Sequence, residues 1–161
     1  MDIETPTTED LATLVDLWVR LAAEQRDHGS HLLADANREP VRDTIARSVV
    51  TGNAAVARDD GDIVGFVTYE LDAGTYEQDL THGTVTNLFV RRDSRNAGVG
   101  AALLAAAEDA LADDGADAVS LEVLAGNEAA RRFYRRAGYG DHRVVMEKPL
   151  ATESDTHSRD D

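Results

Sequence analysis

The run Arg95-Asn96-Ala97-Gly98-Val99-Gly100-Ala101 is the stretch whose residue types and spacing most directly suggest chemistry. It follows Thr84–Val90, a β-branched apolar run that reads as a central strand, and it opens a helix predicted over Gly98–Ala112. A glycine-rich turn entering a helix leaves several backbone N–H groups free and convergent at the positive end of the helix dipole, which makes an anion site. Gly98 and Gly100 carry no Cβ to hold a phosphate away, and Arg91, Arg92 and Arg95 add positive charge. The spacing favours a diphosphate. A dinucleotide turn is a poor match, because Leu103 stands where the third glycine belongs and the motif lies mid-chain. The G-K-[ST] of a P-loop is absent. A turn that merely lets helix and sheet pack closely stays open on the motif alone.

Two further residues could move protons. Glu122 sits in an otherwise apolar strand expected over Ala118–Leu124, so one face of the sheet must accept its carboxylate. Tyr134 lies beside Phe133 on a helix expected over Glu128–Ala137; neighbouring helical side chains diverge by about 100°, so one can pack while the other reaches a ligand. His28 and His31 have no spaced carboxylate or cysteine partners, so they read as surface-loop residues and no metal site is expected. Arg131, Arg132, Arg135 and Arg136 read as a solvated helix face, with attraction of a phosphate as the alternative.

The elements that must position these groups follow from periodicity. Asp2–Pro6 reads as a first strand. Thr7 or Thr8 caps a helix whose stripe is Leu11, Leu14, Val15, Trp18, Leu21 and Ala22, running to about Arg26. A second helix spans Glu39–Val50, with Pro40 in its first turn. Ala54–Arg58 and Ile63–Glu70 flank Asp-Gly and form a hairpin, Asp72–Gly83 is a polar loop, and Arg143–Pro149 is a final strand. The order βααβββαβαβ predicts an α+β fold with a mixed sheet. Residues 1–150 form one domain, and Ala151–Asp161 reads as a disordered acidic tail.

Composition narrows the classes. With 161 residues and no cysteine, the chain is one domain without disulfides, thiolate zinc sites or a cysteine nucleophile. Its net charge of −15, from 31 acidic and 16 basic residues, argues against nucleic-acid or anionic-membrane binding through the overall field. No secretory signal or membrane-spanning run is readable, so a cytoplasmic protein is expected. Lys148 is the sole lysine, Asp outnumbers Glu and aromatics are few, which reads as adaptation to a salt-rich (halophilic) cytoplasm.

Arg95-Asn96-Ala97-Gly98-Val99-Gly100 resembles the acetyl-CoA motif R/Q-x-x-G-x-G/A of the Gcn5-related N-acetyltransferases (GNAT). A second block, Leu121–Tyr139, is similar to that family's strand, Asn, then A-x-x-x-[FY]-Y-x-x-x-G-[FY]. Together the blocks cover Thr84–Tyr139, and the flanking element order matches too. The resemblance implies a mixed, mostly antiparallel central sheet flanked by helices, with two central strands splayed at a bulge to hold acetyl-CoA as co-substrate. The backbone of Leu88, Phe89 and Val90 would bond pantetheine, with the N–H of Leu88 or a neighbour polarising the thioester carbonyl. Arg95, Asn96, Ala97, Gly98, Val99, Gly100 and Ala101 would wrap the pyrophosphate. Asn127 would contact the cofactor near the pantetheine arm, and Tyr134 would be the general acid.

The resemblance to ribosomal-protein alanine N-acetyltransferases makes Glu122 the general base, directly or through water. The strand Thr84–Val90 offers no carboxylate, so the alternatives are a water chain or Glu77, Asp79 and His82. The expected activity is transfer of an acetyl group to a primary amine, a protein N-terminus or lysine or a small molecule, by direct attack in a ternary complex. No cysteine is available for an acyl-enzyme. A non-catalytic acyl-CoA-binding or sensing module is the alternative. Homodimers are common among relatives, but no interface is legible in the sequence.

Overall fold

The computed structural model describes residues 1–151; from Thr152 on, the expected tail lies outside the described residues. The chain order is β1 (Asp2–Glu4), a 3-10 turn at Thr8–Asp10, α1 (Leu11–Arg26), a 3-10 turn at Asp35–Asn37, α2 (Arg38–Val50), β2 (Ala54–Asp59), β3 (Asp62–Leu71), β4 (His82–Val90), a 3-10 turn at Arg92–Ser94, α3 (Val99–Asp113), β5 (Ala118–Leu121) and α4 (Glu128–Arg136). The five strands form one sheet in sequence order. Its first three pairings are antiparallel and β4–β5 is parallel. This is the expected mixed, mostly antiparallel sheet flanked by helices.

Helices cover both faces. On one, Leu14, Leu17 and Trp18 of α1 and Ile45 and Val49 of α2 pack on Val56, Phe66 and Phe89. On the other, Leu103, Leu104, Ala107 and Leu111 of α3 pack on Ala55, Val64, Val67, Tyr69 and Val85. β3 is therefore buried along Ile63–Tyr69, which explains an apolar run that does not alternate and is interrupted only by Thr68. Gly65 permits the close layering: a Cβ there would lie 2.8 Å from the Phe89 carbonyl oxygen.

Two expected strands differ. β5 ends at Leu121, three residues short of expectation, because its parallel ladder with β4 stops there. Arg143–Pro149 is not a strand: despite its β-branched pattern, Gly140–Leu150 finds no backbone partner among the described residues. No described helix is long and apolar enough to cross a membrane.

Candidate active site

The site begins with a mismatch of strand lengths. β4 pairs with β3 from Gly83 to Val90, but with β5 only from His82 to Val85. The β3–β4 register slips between Thr68 and Tyr69, leaving Thr86 as an extra residue on β4, a bulge that bends the strand. Beyond Val85 and Leu121 the two strands no longer pair, and the outer edge of Thr86–Val90 is open. The Arg91 N–H bonds Val64 O on the β3 side at 2.8 Å. Strand alternation then turns the backbone groups of Phe89 and Asn87 to β3 and those of Leu88 and Val90 to the gap. Phe89, expected at the cofactor with its neighbours, thus gives its backbone to β3 and its ring to the core beside α1. Val90 O is already taken by Arg95 Nε at 2.8 Å, which leaves Leu88 to present both a donor and an acceptor.

The gap runs into the turn before α3. Among the described residues, the backbone N–H groups of Asn96, Ala97, Gly98, Val99, Gly100 and Ala101 donate to nothing, and the first bond of the helix is Ala102 N–H to Gly98 O. Asn96 (φ 64°) and Gly98 (φ 82°) are left-handed, and they bend this run of free donors between the extended Arg95 and the start of α3 at Val99 into a nest. Gly98 is required there for its φ and has open space around it, whereas a Cβ on Gly100 would make an ordinary 3.4 Å contact with the Phe133 ring. Gly100 therefore faces a helix, not the open side of the turn, and alanine fits equally well.

The Arg95 side chain is engaged within the fold. Its guanidinium lies 5.4 Å from the Phe89 ring centre and donates to Glu24 at 2.7 Å, while Arg92 reaches the same carboxylate at 3.0 Å. Its side chain fastens the turn to β4 and α1; only its neighbours' amides face outward. Burial alone would raise the Glu24 carboxyl, but the hydrogen bonds from Arg95 and Arg92 outweigh it, and the pKa is lowered.

α4 closes the other side. Asn127 caps it, its Oδ1 accepting from Ala130 N–H at 3.2 Å. Phe133 rests beside Gly100 and Val90, and its ring meets Tyr134 edge-on at 5.2 Å. Tyr134 is held between Phe133 and Tyr139, and burial raises its pKa, so the phenol keeps its proton at neutral pH. Glu122, expected within a strand, is exposed one residue past the paired part of β5, where the strand enters the gap. It makes no hydrogen bond or ion pair among the described residues. Glu77 and Asp79 are exposed in the β3–β4 loop. His82 sits on the paired end of β4, about 13 Å of strand from the bulge, and contacts Gln78. Of the carboxylates considered, the structure brings only Glu122 near the gap.

Sequence reasoning missed two features. Glu24 escaped because its partners are 68 and 71 positions away. The other is a polar cluster at the bulge, in which the Oγ1 of buried Thr68 lies 2.7 Å from the Oγ1 of exposed Thr86 and accepts from Asn87 Nδ2 at 2.9 Å. The polar Thr86-Asn87 interruption of an apolar strand was its signal. His31 pairs with Glu147 at 2.8 Å, and no metal-holding group occurs among the described residues. Arg131 and Arg135 flank Asp141, consistent with a solvated, paired face.

Comparison with known proteins agrees with this geometry. The chain is 34% identical over 91 residues to an uncharacterized N-acetyltransferase of Methanocaldococcus jannaschii, a match covering 56% of this chain and 54% of that protein. It is 42% identical over 93 residues to the mycothiol acetyltransferase of Clavibacter sepedonicus, covering 57% of this chain and 28% of that one. The matches thus span about half and about a quarter of these relatives' lengths. Among solved structures, a tetramutant protein of Bacillus halodurans shares the fold at a TM-score of 0.78 and 23% identity, covering 93% of this chain and all of that one. An aminoglycoside N-acetyltransferase solved in complex with CoA does so at 0.70 and 17%, covering 93% and 95%. The sequence model of the acetyltransferase (GNAT) family matches residues 27–139, and with the splayed strands and amide nest in place, the chain belongs to that family.

Proposed function

We propose that the protein transfers an acetyl group from acetyl-CoA to a primary amine. The observation that carries this reading is the run of six unpartnered amides from Asn96 to Ala101, continuous with the open edge at Leu88. A pyrophosphate suits the nest, and an amide-bearing arm can pair with the Leu88 edge as an added strand. That the similar aminoglycoside enzyme binds CoA supports the choice of ligand. The Leu88 N–H is oriented to stabilise the oxyanion that develops on the thioester carbonyl. Neutral amine attacks that carbon, the C–S bond breaks as the departing thiolate takes the proton of Tyr134, and the nitrogen of the intermediate gives up its surplus proton as the amide forms, which restores the phenol. Glu122, directly or through water, accepts the proton that the ammonium form must lose. Asn127 orients the arm while capping α4.

Calorimetry with acetyl-CoA tests the binding step, and CoA release across peptides, polyamines, aminoglycosides and amino acids in high salt tests turnover. Micromolar binding with turnover on some amine is expected; no heat with acetyl-CoA would remove the whole reading. The exposure of Glu122 favours one rival, a module that binds acyl-CoA without transferring it. Tight binding with no turnover on any amine would favour that rival. Glu122→Gln separates the roles further: it should lower kcat/KM at least tenfold near neutral pH, and an unchanged pH–rate profile removes Glu122 from the mechanism.

A further inference from the structure

The polar cluster at the β4 bulge lies on the same face of the sheet as Glu122. Phe66 points to the side of α1 and α2, so Thr68, two residues on, points there too. Asn87 pairs with Thr68 in the ladder, Thr86 is the extra residue, and both reach the Thr68 hydroxyl. On β5, Val119 and Leu121 pack on the α3 side, so Ser120 and then Glu122 point the other way. Continuing the last β4–β5 pair, Val85 with Leu121, sets Glu122 opposite Thr86 across the gap. Thr86 and Glu122 are both exposed there.

Within the cluster the Asn87 amide has one direction. Its Nδ2 donates to Thr68 Oγ1, and the proton of the buried Thr68 hydroxyl can then run on to Thr86 Oγ1, so each group in the chain is used. The amide oxygen is left over. Asn87 Oδ1 accepts no hydrogen bond among the described residues. Among those residues no buried side-chain oxygen or nitrogen lacks a partner, so this oxygen is open to solvent. A fixed carbonyl acceptor therefore stands one residue before Leu88, whose backbone faces the gap, with Thr86 Oγ1 as a second acceptor in the same cluster.

We propose that Asn87 Oδ1 and Thr86 Oγ1 seat the nitrogen of the acceptor amine opposite Glu122, and that Thr68 fixes this seat by holding the Asn87 amide. The inference rests on the acetyl transfer proposed above and names what that site selects, an unsubstituted primary amine. A primary ammonium has three N–H donors, and Glu122, Asn87 and Thr86 offer an acceptor to each. Glu122 takes one proton. The two remaining N–H groups stay with Asn87 and Thr86, and the freed lone pair turns to the thioester carbon beside Leu88. An N-methylated amine puts a methyl group against one of the two oxygens and leaves that oxygen unpaired. Asn87 thus determines specificity, and Thr68, which touches no substrate, positions it.

The amine turned over fastest in the CoA-release screen is compared with its N-methyl derivative. The wild type should prefer the primary amine by about 30-fold in kcat/KM. Asn87→Ala and Thr68→Val should each lower kcat/KM for the primary amine about tenfold, mainly through its KM, and cut the preference to about threefold. Calorimetry should show the affinity for acetyl-CoA unchanged in both. Thr68→Ser keeps the hydroxyl and should keep the preference. A merely structural loss would lower both amines alike and leave the preference intact. Far-UV dichroism reports folding, and Asn87, which is only half-buried, keeps the test decisive where Thr68→Val does not fold. Turnover with no preference in the wild type, or a preference that Asn87→Ala leaves intact, overturns the seat alone. A preference that survives Thr68→Val overturns the positioning role. Acetyl-CoA binding without turnover on any amine removes the transfer itself, and the seat with it.

Discussion

Tyr134 shows how one side chain is prepared by its surroundings. The rings of Phe133 and Tyr139 flank it, and no hydrogen bond reaches its oxygen among the described residues, so burial alone sets its proton affinity. Desolvation disfavours phenolate, which raises the pKa above the ordinary 10.0. The hydroxyl is therefore a donor throughout the neutral range and fails only at higher pH. Tyr134→Phe should lower kcat about 100-fold at pH 8 while leaving the affinity for acetyl-CoA nearly unchanged. The wild-type kcat should fall only above pH 10, and the variant should lack that limb. A wild-type fall centred below pH 9 that vanishes in Tyr134→Phe would contradict the burial argument, and an unaltered kcat would remove the residue from proton transfer. The placement of Tyr134 between two aromatic rings was legible in part because Phe133, Tyr134 and Tyr139 belong to one local pattern. The cluster of Thr68, Thr86 and Asn87 was not, since it forms only when a bulge aligns two strands 18 and 19 positions apart.

The element on which the proposed binding of acetyl-CoA rests is the turn into α3, and two single substitutions probe it. Gly98→Ala puts a Cβ on a left-handed residue and should cost about 1–2 kcal/mol of stability and weaken acetyl-CoA binding. Gly100→Ala meets the Phe133 ring at ordinary distance, should leave acetyl-CoA binding unchanged and, at a helical position, should raise stability by up to about 1 kcal/mol. Equal losses in melting and titration experiments would show that the two glycines are not distinguished as described. The clasp behind the turn has a pH signature. The Glu24 pKa is lowered on folding, so its contribution is complete above its ordinary 4.5 and lost as pH falls through the lower folded value. Arg92 is 77% exposed, which discounts its share, so Glu24→Gln should cost only about 1 kcal/mol, or roughly 3 °C, at pH 7. That gap should narrow as the pH falls below 4.5; a constant gap would place its origin in packing. Legibility also divides at this scale. The amide nest follows from adjacent residues, so the sequence reveals it. The splay depends on where β5 stops pairing, and the fate of Arg143–Pro149 on whether an edge is supplied. A pattern of β-branched residues states a strand's preference but cannot provide its partner.

At the scale of the whole molecule, charge sets the conditions under which these elements hold. The clasp of Glu24 with Arg92 and Arg95 and the bridges of Arg58 to Glu4 and Asp10 are attractions that salt weakens. Against them stand carboxylates gathered without cations, at Asp59, Asp60 and Asp62 in the β2–β3 turn and at Asp113, Asp114 and Asp117 around the end of α3. Both effects are surface electrostatics of similar size per pair, at most about 1 kcal/mol. Numbers therefore decide the sign: 31 acids against 16 bases leave repulsion in excess. Raising ionic strength from 0.1 to 1 M shortens the screening length from about 10 to about 3 Å, below the spacing of most surface charges. We expect the melting temperature to rise by at least 5 °C between 0.1 and 2 M KCl, most of it below 1 M, where screening saturates. Sulfate salts at equal ionic strength should stabilise further, because exclusion from the surface adds to screening. A melting temperature that is highest in low KCl would show that the attractive pairs dominate, and the reading of this composition as salt adaptation would fall.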